Sequence, residues 1–141
     1  MSLEEIRADF ASLDDWEDRY RYVIELGRAL PPLDDADKTE TTKVRGCASQ
    51  VWLVMRAVAS AGGAPSRLEI RGDSDAHIVR GLVAILLAAV NDKTADEILS
   101  SDLRAVFRGL GLEDHLTPQR SNGLASMIER VRNDARALRG G

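Results

Sequence analysis

The chain has 141 residues, of which 44% are hydrophobic and 30% charged, and its formal net charge is −4. This length and composition suit a single globular domain over residues 1–141. The acidic balance gives no general basic surface for nucleic acid, and no apolar stretch approaches the roughly 20 residues of a membrane helix. Because Glu4 and Glu5 stand where a signal peptide needs positive charge, we expect a cytoplasmic protein that does not contact membranes.

Two helices are predicted in the first 30 residues. Ser2 begins a Ser-x-x-Glu capping box, and apolar residues follow it at helical spacing. Asp14 begins a similar Asp-x-x-Glu pattern ahead of a second amphipathic segment, which ends at Pro31. We interpret residues 33–40, which are acidic and lack periodicity, as a surface loop.

The next segments have the patterns of strands. Residues 41–45, 51–59 and 67–71 are predicted as three strands, and the last of them alternates strictly between apolar and polar side chains. The pair Gly62-Gly63 marks a turn. Because the connections are short, these three strands predict a small antiparallel sheet.

Helices resume after the strands. Ser74 and Asp75 can cap a helix that runs to about Val90 and is apolar around most of its circumference, which predicts a central buried helix. The order of elements predicts an α+β domain in which helices cover one face of a small three-stranded antiparallel sheet. Further helices are predicted to begin near Thr94, Leu103 and Thr117-Pro118.

Cys47 is the only cysteine, which excludes an intrachain disulfide. Gly46 precedes it and small residues follow it, so the thiol is predicted at a loop tip between two strands, where a partner protein can reach it. The structural alternative is a small buried hydrophobe. Since the thiolate is the nucleophile and nearby positive charge lowers its pKa, Arg45 and Arg120 are candidate neighbours.

A catalytic cysteine or a metal site is poorly supported. A cysteine hydrolase needs a histidine beside the thiol, and only His77 and His115 are present, neither within a recognisable signature. Zinc needs three or four ligands, which one cysteine and two scattered histidines do not supply. A lone loop cysteine suits sulfur carriage, because a second cysteine would attack a persulfide and release the sulfur as sulfide.

The segment Gly46-Cys47-Ala48-Ser49-Gln50-Val51-Trp52 resembles the signature of the SufE family (SufE/CsdE-like proteins), sulfur acceptors in iron–sulfur cluster assembly. The likeness covers nearly the whole chain, in order and at the family's spacing. Its further blocks are residues 22–27, 72–76 with 78–82, 115–124 and 127–130.

The resemblance implies that Cys47 accepts persulfide sulfur from a pyridoxal-phosphate cysteine desulfurase of the SufS/CsdA type. It implies further that Cys47 passes this sulfur to the iron–sulfur scaffold complex and that the chain stimulates the desulfurase, with no cofactor of its own. Arg120 and Asp75 match family residues associated with the active loop and its docking on the desulfurase. The implied fold is SufE/IscU-like, but scaffold proteins of that fold build a cluster on three cysteines or their equivalent, so a single cysteine excludes the scaffold role.

Four residues around the cysteine are expected to position its loop. Gly46 can adopt a backbone conformation closed to other residues, with an ordinary turn glycine as the alternative. Ser49 and Gln50 can hydrogen-bond the loop backbone or simply face solvent. Trp52 is expected in the core, where it can also wall the cavity that holds the sulfur.

Two other functions stay open at this point. One is a binding-only activator of a desulfurase, in which Cys47 is incidental and no sulfur is relayed. The other is the cysteine hydrolase, which requires a histidine within hydrogen-bond reach of the sulfur. For the carrier, we expect a resting thiol partly covered by its loop and a loop that swings outward on docking.

Overall fold

The computed structural model describes residues 2–139, so the outermost residues of the predicted domain, 1 and 140–141, lie outside the described part. Its helices and strands, in chain order, are α1 (Leu3–Ser12), α2 (Trp16–Ala29), β1 (Val51–Val58), β2 (Arg67–Ser74), α3 (His77–Val90), β3 (Lys93–Thr94), α4 (Ala95–Ser100), α5 (Leu103–Gly109) and α6 (Pro118–Leu138). Short 3₁₀ turns occur at Asp35–Asp37, Ala61–Gly63 and Leu112–His115.

The sheet has three antiparallel strands in the order β1-β2-β3, which confirms the predicted α+β class. The strands differ from the prediction, however. Residues 41–45 do not form a strand, because only Lys43 makes an isolated bridge, to Trp52. The third strand is the two-residue β3, which lies between α3 and α4 and pairs with the start of β2.

The carbonyls of Thr41 and Lys43, which alternate with the groups bonded to β1, bond to a side chain of α6 and not to another strand. Arg130 of α6 donates one hydrogen bond to the carbonyl of Lys43 at 3.1 Å and another to that of Thr41 at 2.7 Å. A turn also forms just before, where the amide of Lys43 donates to the carbonyl of Thr39. The segment therefore meets β1 over a few residues only.

Helix α3 is the centre of the fold, as predicted. Ten of its 14 residues are buried, and it packs on the sheet face that carries Leu53 and Ile70. Gly72 of β2 permits this close packing, since a Cβ there would lie 2.7 Å from Leu53 Cδ2 and 2.8 Å from Val83 Cγ1.

Helix α2 crosses α3 at a second close approach. A Cβ on Gly27 would lie 2.7 Å from the backbone nitrogen of Gly81, and one on Gly81 would lie 2.1 Å from the carbonyl oxygen of Val23. These are backbone atoms that cannot turn aside. The two glycines thus set the distance between the helices.

The helix starts follow the predicted capping patterns with two exceptions. Capping boxes at Ser2 and Thr94 are confirmed, as is Thr117 with proline in the first turn of α6. The cap of α2 is Asp15, not Asp14. Helix α3 begins after Ala76 without a side-chain cap, so the predicted capping role of Ser74 and Asp75 is wrong.

Within residues 2–139, no helix combines the length and the apolar character that crossing a bilayer requires.

Replacing Gly81 by alanine should destabilise the fold, because the new methyl group would push α2 away from α3. We expect the free energy of unfolding to fall by about 2–3 kcal/mol. Gly109→Ala is the matched control, since a Cβ there meets open space at the end of α5, and it should gain about 0.5 kcal/mol. Urea unfolding of both variants tests this, and an unchanged midpoint for Gly81→Ala would contradict the tight helix crossing.

Candidate functional site

Cys47 lies on a six-residue turn, residues 45–50, which we call the cysteine loop. Backbone hydrogen bonds join the two chain segments that flank it, from the amide of Val44 to the carbonyl of Val51 at 2.8 Å and from Leu53 to Thr42 at 2.9 Å. The thiol is therefore presented at a hairpin-like tip, although only one side of that hairpin is a regular strand.

Gly46 gives the cysteine loop its shape. Its φ of 87° lies in the left-handed region that side chains disfavour. In addition, a Cβ at this position would lie 2.6 Å from the hydroxyl oxygen of Ser126 in α6. Glycine thus permits both the turn and the close approach of the loop to α6.

The thiol of Cys47 is half-buried against α6. Its Sγ donates a hydrogen bond to the carbonyl oxygen of Gly123 at 3.5 Å. Burial raises the pKa of the Cys47 thiol above its ordinary value. In this state the sulfur is a protonated donor that is partly shielded from solvent.

A cavity of about 220 Å³ opens beside the sulfur, and we call it the cysteine cavity. Apolar side chains of α3 and α6 and the polar first turn of α6 line it together with the cysteine loop. The residues that define its character are Val79, Leu82, Met127, Thr117, Gln119 and Arg120. Ser49 of the cysteine loop also lines it, but forms no side-chain hydrogen bond with any described residue.

Arg120 reaches the cysteine cavity but is held by another residue. Its guanidinium donates to the hydroxyl of Tyr20 in α2 and lies 5.9 Å from the centroid of that ring. Arg45, the other candidate neighbour of the thiol, pairs with Glu40 at 3.5 Å where both side chains are nearly 80% exposed. Such a pair is weak, and it turns the charge toward solvent.

Asp75 ties down the end of the cysteine loop. Its Oδ1 accepts a hydrogen bond from the amide of Gln50 at 3.0 Å, and its own amide donates to the carbonyl of Gln50 at 3.2 Å. The hydroxyl of Ser74 donates to that same carbonyl at 2.7 Å. The two residues do not cap α3 because they hold Gln50 instead, and Gln50 contributes through its backbone.

Trp52 is not a core residue, and that prediction is wrong. Strand alternation turns its neighbours Val51 and Leu53 into the core and leaves Trp52 half-buried on the opposite face of the sheet. There the ammonium of Lys38 lies 5.2 Å from the centroid of the ring. Trp52 does not line the cysteine cavity.

Sequence reasoning missed the buried carboxylate of Asp73, which is only 3% exposed. It accepts hydrogen bonds from the amides of Leu33 at 3.0 Å and Ser74 at 2.8 Å. It also pairs with Lys38 at 3.5 Å and Arg80 at 3.3 Å. No local pattern marks Leu33 or Lys38 as partners, because both lie far from Asp73 in the sequence and meet it only in the folded chain.

Neither histidine belongs to the site. Both are exposed, and His115 stacks on Trp16 with ring centroids 3.6 Å apart. The described residues that line the cysteine cavity include no imidazole. A cysteine hydrolase would have no histidine base in this arrangement.

Replacing Asp75 by alanine should expose Cys47, because the hydrogen bond to the amide of Gln50 is lost. A bond worth about 1–1.5 kcal/mol predicts roughly tenfold faster alkylation of the thiol by iodoacetamide. Asp75→Asn keeps an acceptor oxygen and should react close to the wild-type rate. Equal rates for the two variants, followed by mass spectrometry, would show that Asp75 does not restrain the loop.

The pH dependence of alkylation should report the burial of the thiol. Because burial favours the protonated thiol, the rate for the folded protein should go on rising with pH beyond the point at which the urea-unfolded chain levels off. By the same linkage, Cys47 makes the fold less stable as pH rises from the pKa of the unfolded thiol to that of the folded one. A folded-state curve lying at lower pH than the unfolded one would contradict this.

The fold has a counterpart among solved structures. The solution structure of a hypothetical protein from Thermus thermophilus superposes with a TM-score of 0.72 and covers 98% of each chain at 22% sequence identity. At that identity the likeness concerns the fold alone.

Sequence relatives identify the family. An uncharacterized SufE-like protein of Rhizobium etli is 54% identical over 137 residues, covering 96% of this chain and 90% of the relative. One of Rhizobium meliloti is 54% identical over 134 residues, covering 95% and 94%. The model of the SufE family, described as an Fe-S metabolism associated domain, matches residues 4–135. The resemblance found in the cysteine-loop motif is thereby confirmed, and the chain belongs to the SufE family, with a role in iron–sulfur metabolism and sulfur transfer.

Proposed function

We propose that the chain is a sulfur acceptor and carrier that takes persulfide sulfur from a cysteine desulfurase onto Cys47. It delivers this sulfur to an iron–sulfur cluster scaffold and stimulates the desulfurase. The observation that carries the proposal is a lone thiol on a loop tip beside a cavity of about 220 Å³. One water needs only about 10–15 Å³ of such space, so a second sulfur atom fits.

The chemistry is a thiol–persulfide exchange. The Cys47 thiolate attacks the outer sulfur of the donor persulfide, and a sulfur–sulfur bond to Cys47 forms as the bond in the donor breaks. The donor cysteine leaves as a thiolate and takes up the proton that Cys47 has lost. No oxidant or reductant is consumed, and the same exchange in reverse hands the sulfur to an acceptor thiol.

The absence of a second cysteine protects this intermediate. A neighbouring thiol within the chain would attack the persulfide, close a disulfide and release the sulfur as sulfide. With Cys47 as the single cysteine, that loss is impossible within one molecule.

The resting geometry calls for a loop movement on docking. The thiol is half-buried against α6 and donates to the carbonyl of Gly123, so breaking that contact would expose it to a donor sulfur. Both ends of the cysteine loop are tied by backbone hydrogen bonds, at Val44 and at Gln50. Residues 46–49 between these ties therefore swing outward while the ends stay in place.

Stimulation of the desulfurase follows from the same transfer. A desulfurase whose cysteine already carries a sulfur cannot accept the next one. Transfer of that sulfur to Cys47 frees the desulfurase cysteine for another turnover. Pyridoxal phosphate belongs to that partner, and the proposal assigns no cofactor to this chain. The cytoplasmic location expected from the sequence stays a prediction.

The direct test is to incubate the protein with a cysteine desulfurase, cysteine and pyridoxal phosphate, and to measure its intact mass. We expect the wild type to gain the mass of one sulfur atom on Cys47, and Cys47→Ser to gain nothing while keeping its fold. Cys47→Ser should also lose the stimulation of desulfurase turnover. Full stimulation by Cys47→Ser would instead indicate a binding-only activator, and an unmodified wild type would contradict sulfur carriage.

A further inference from the structure

Arg120, which lines the cysteine cavity, is in contact with Tyr20, which lies outside the cavity. Arg120, in the first turn of α6, lines the cavity together with Cys47. Tyr20, on α2, does not line it, but accepts a hydrogen bond from the Arg120 guanidinium and packs its ring against it. Tyr20 therefore touches the cavity only through Arg120.

Most of the donor capacity of Arg120 is unused in the resting state. A guanidinium has five N–H groups in a fixed plane, and one of its nitrogens bonds to Tyr20. The others have no acceptor among residues 2–139. Among the described residues that line the cysteine cavity, Arg120 is also the one charged group.

Attachment of a second sulfur atom to Cys47 turns a hydrogen-bond donor into an acceptor. The protonated thiol donates to the carbonyl of Gly123, but once a second sulfur is attached, Sγ carries no proton and that bond is lost. The new terminal sulfur ionises more readily than the thiol, and its anion needs hydrogen-bond donors. A carbonyl cannot supply them, and a guanidinium can.

Building on the proposed function, we infer that the free N–H groups of Arg120 form the binding site for the terminal sulfur anion of the Cys47 persulfide, and that Tyr20 is the positioning residue that holds Arg120 there. An arginine side chain loses considerable rotamer entropy when it is fixed in one geometry. The Tyr20 hydroxyl, carried by a packed helix, fixes it before sulfur arrives. The two carboxylates that contact the cysteine loop are already engaged, Asp75 by the amide of Gln50 and Glu40 by Arg45.

The test loads Cys47 without any partner protein, using inorganic polysulfide. The thiolate attacks the terminal, protonated sulfur of the polysulfide. A sulfur–sulfur bond to Cys47 forms as the bond to the next sulfur breaks, and a polysulfide shorter by one sulfur atom leaves. The pH profile of persulfide alkylation by iodoacetamide is then measured by mass spectrometry. We expect Tyr20→Phe, which keeps the ring and removes the hydroxyl, to raise the midpoint by about 0.5–1 pH unit.

Tyr22→Phe is the matched control. Tyr22 lies on the same helix and donates its hydroxyl to Asp9 at 2.6 Å, away from the cysteine cavity. The Cys47 persulfide of Tyr22→Phe should be alkylated with the same pH midpoint as that of the wild type. The unloaded thiol of Tyr20→Phe should also keep its wild-type profile, because that thiol bonds to Gly123 and not to Arg120.

Arg120→Ala separates positioning from a general structural effect. It should raise the midpoint at least as much as Tyr20→Phe, and adding Tyr20→Phe to it should change nothing further. The inference is overturned if Tyr20→Phe titrates as the wild type, if its effect persists without Arg120, or if the unloaded thiol shifts equally. Should Tyr20→Phe not fold, an unshifted midpoint for Arg120→Ala overturns it.

These outcomes are separate from those that test the proposed function. If a desulfurase could not load the wild type, sulfur carriage would be contradicted. The Cys47 persulfide made with polysulfide could still be titrated, so the role of Tyr20 and Arg120 would still be tested. Conversely, normal loading by a desulfurase with no effect of Tyr20→Phe would leave the carrier role intact and remove the sulfur-anion site.

Discussion

The position of the cysteine loop depends on the hydrogen bonds and ion pairs of the buried Asp73 carboxylate. This carboxylate draws together three parts of the chain: Leu33 after α2, Lys38 just after the first 3₁₀ turn, and Arg80 of α3. A buried charge is costly unless it is paired and hydrogen-bonded, so these elements hold one another in place. Because Asp73 is followed at once by Ser74 and Asp75, fixing it also fixes the two residues that hold the end of the cysteine loop.

Helix α6 supplies the other half of the support. Arg120, Gly123, Met127 and Arg130 recur at spacings of three and four residues and thus share one face of the helix. This face reaches the cysteine cavity, the thiol and the base of the cysteine loop in turn. A single packed helix therefore shields the sulfur at rest and borders the space into which a second sulfur would fit.

The cysteine loop is held firmly at its ends and weakly at its centre, which suits a sulfur carrier. Several hydrogen bonds hold the flanks of the cysteine loop, from the backbone and from the side chains of Ser74 and Asp75, whereas its centre rests on α6 through one weak sulfur contact and a glycine. The centre can leave α6 at little cost while its ends remain in register. Burial keeps the resting thiol protonated, which limits adventitious oxidation until a partner displaces the loop.

Local spacing was enough to predict the capping boxes at Ser2 and Thr94, the central helix α3 and the cysteine at a turn, since each depends on residues a few positions apart. The family was indicated by the resemblance of motifs along nearly the whole chain. Local spacing missed the two-residue β3, misassigned residues 41–45 as a strand and placed Trp52 in the core. Local alternation cannot say which face of β1 the core will cover, and β3 exists only through its pairing with the distant start of β2. The roles of Asp73 and Asp75, and the contact between Tyr20 and Arg120, were likewise decided by the tertiary structure, because a carboxylate or guanidinium acquires its partner only when distant segments pack together.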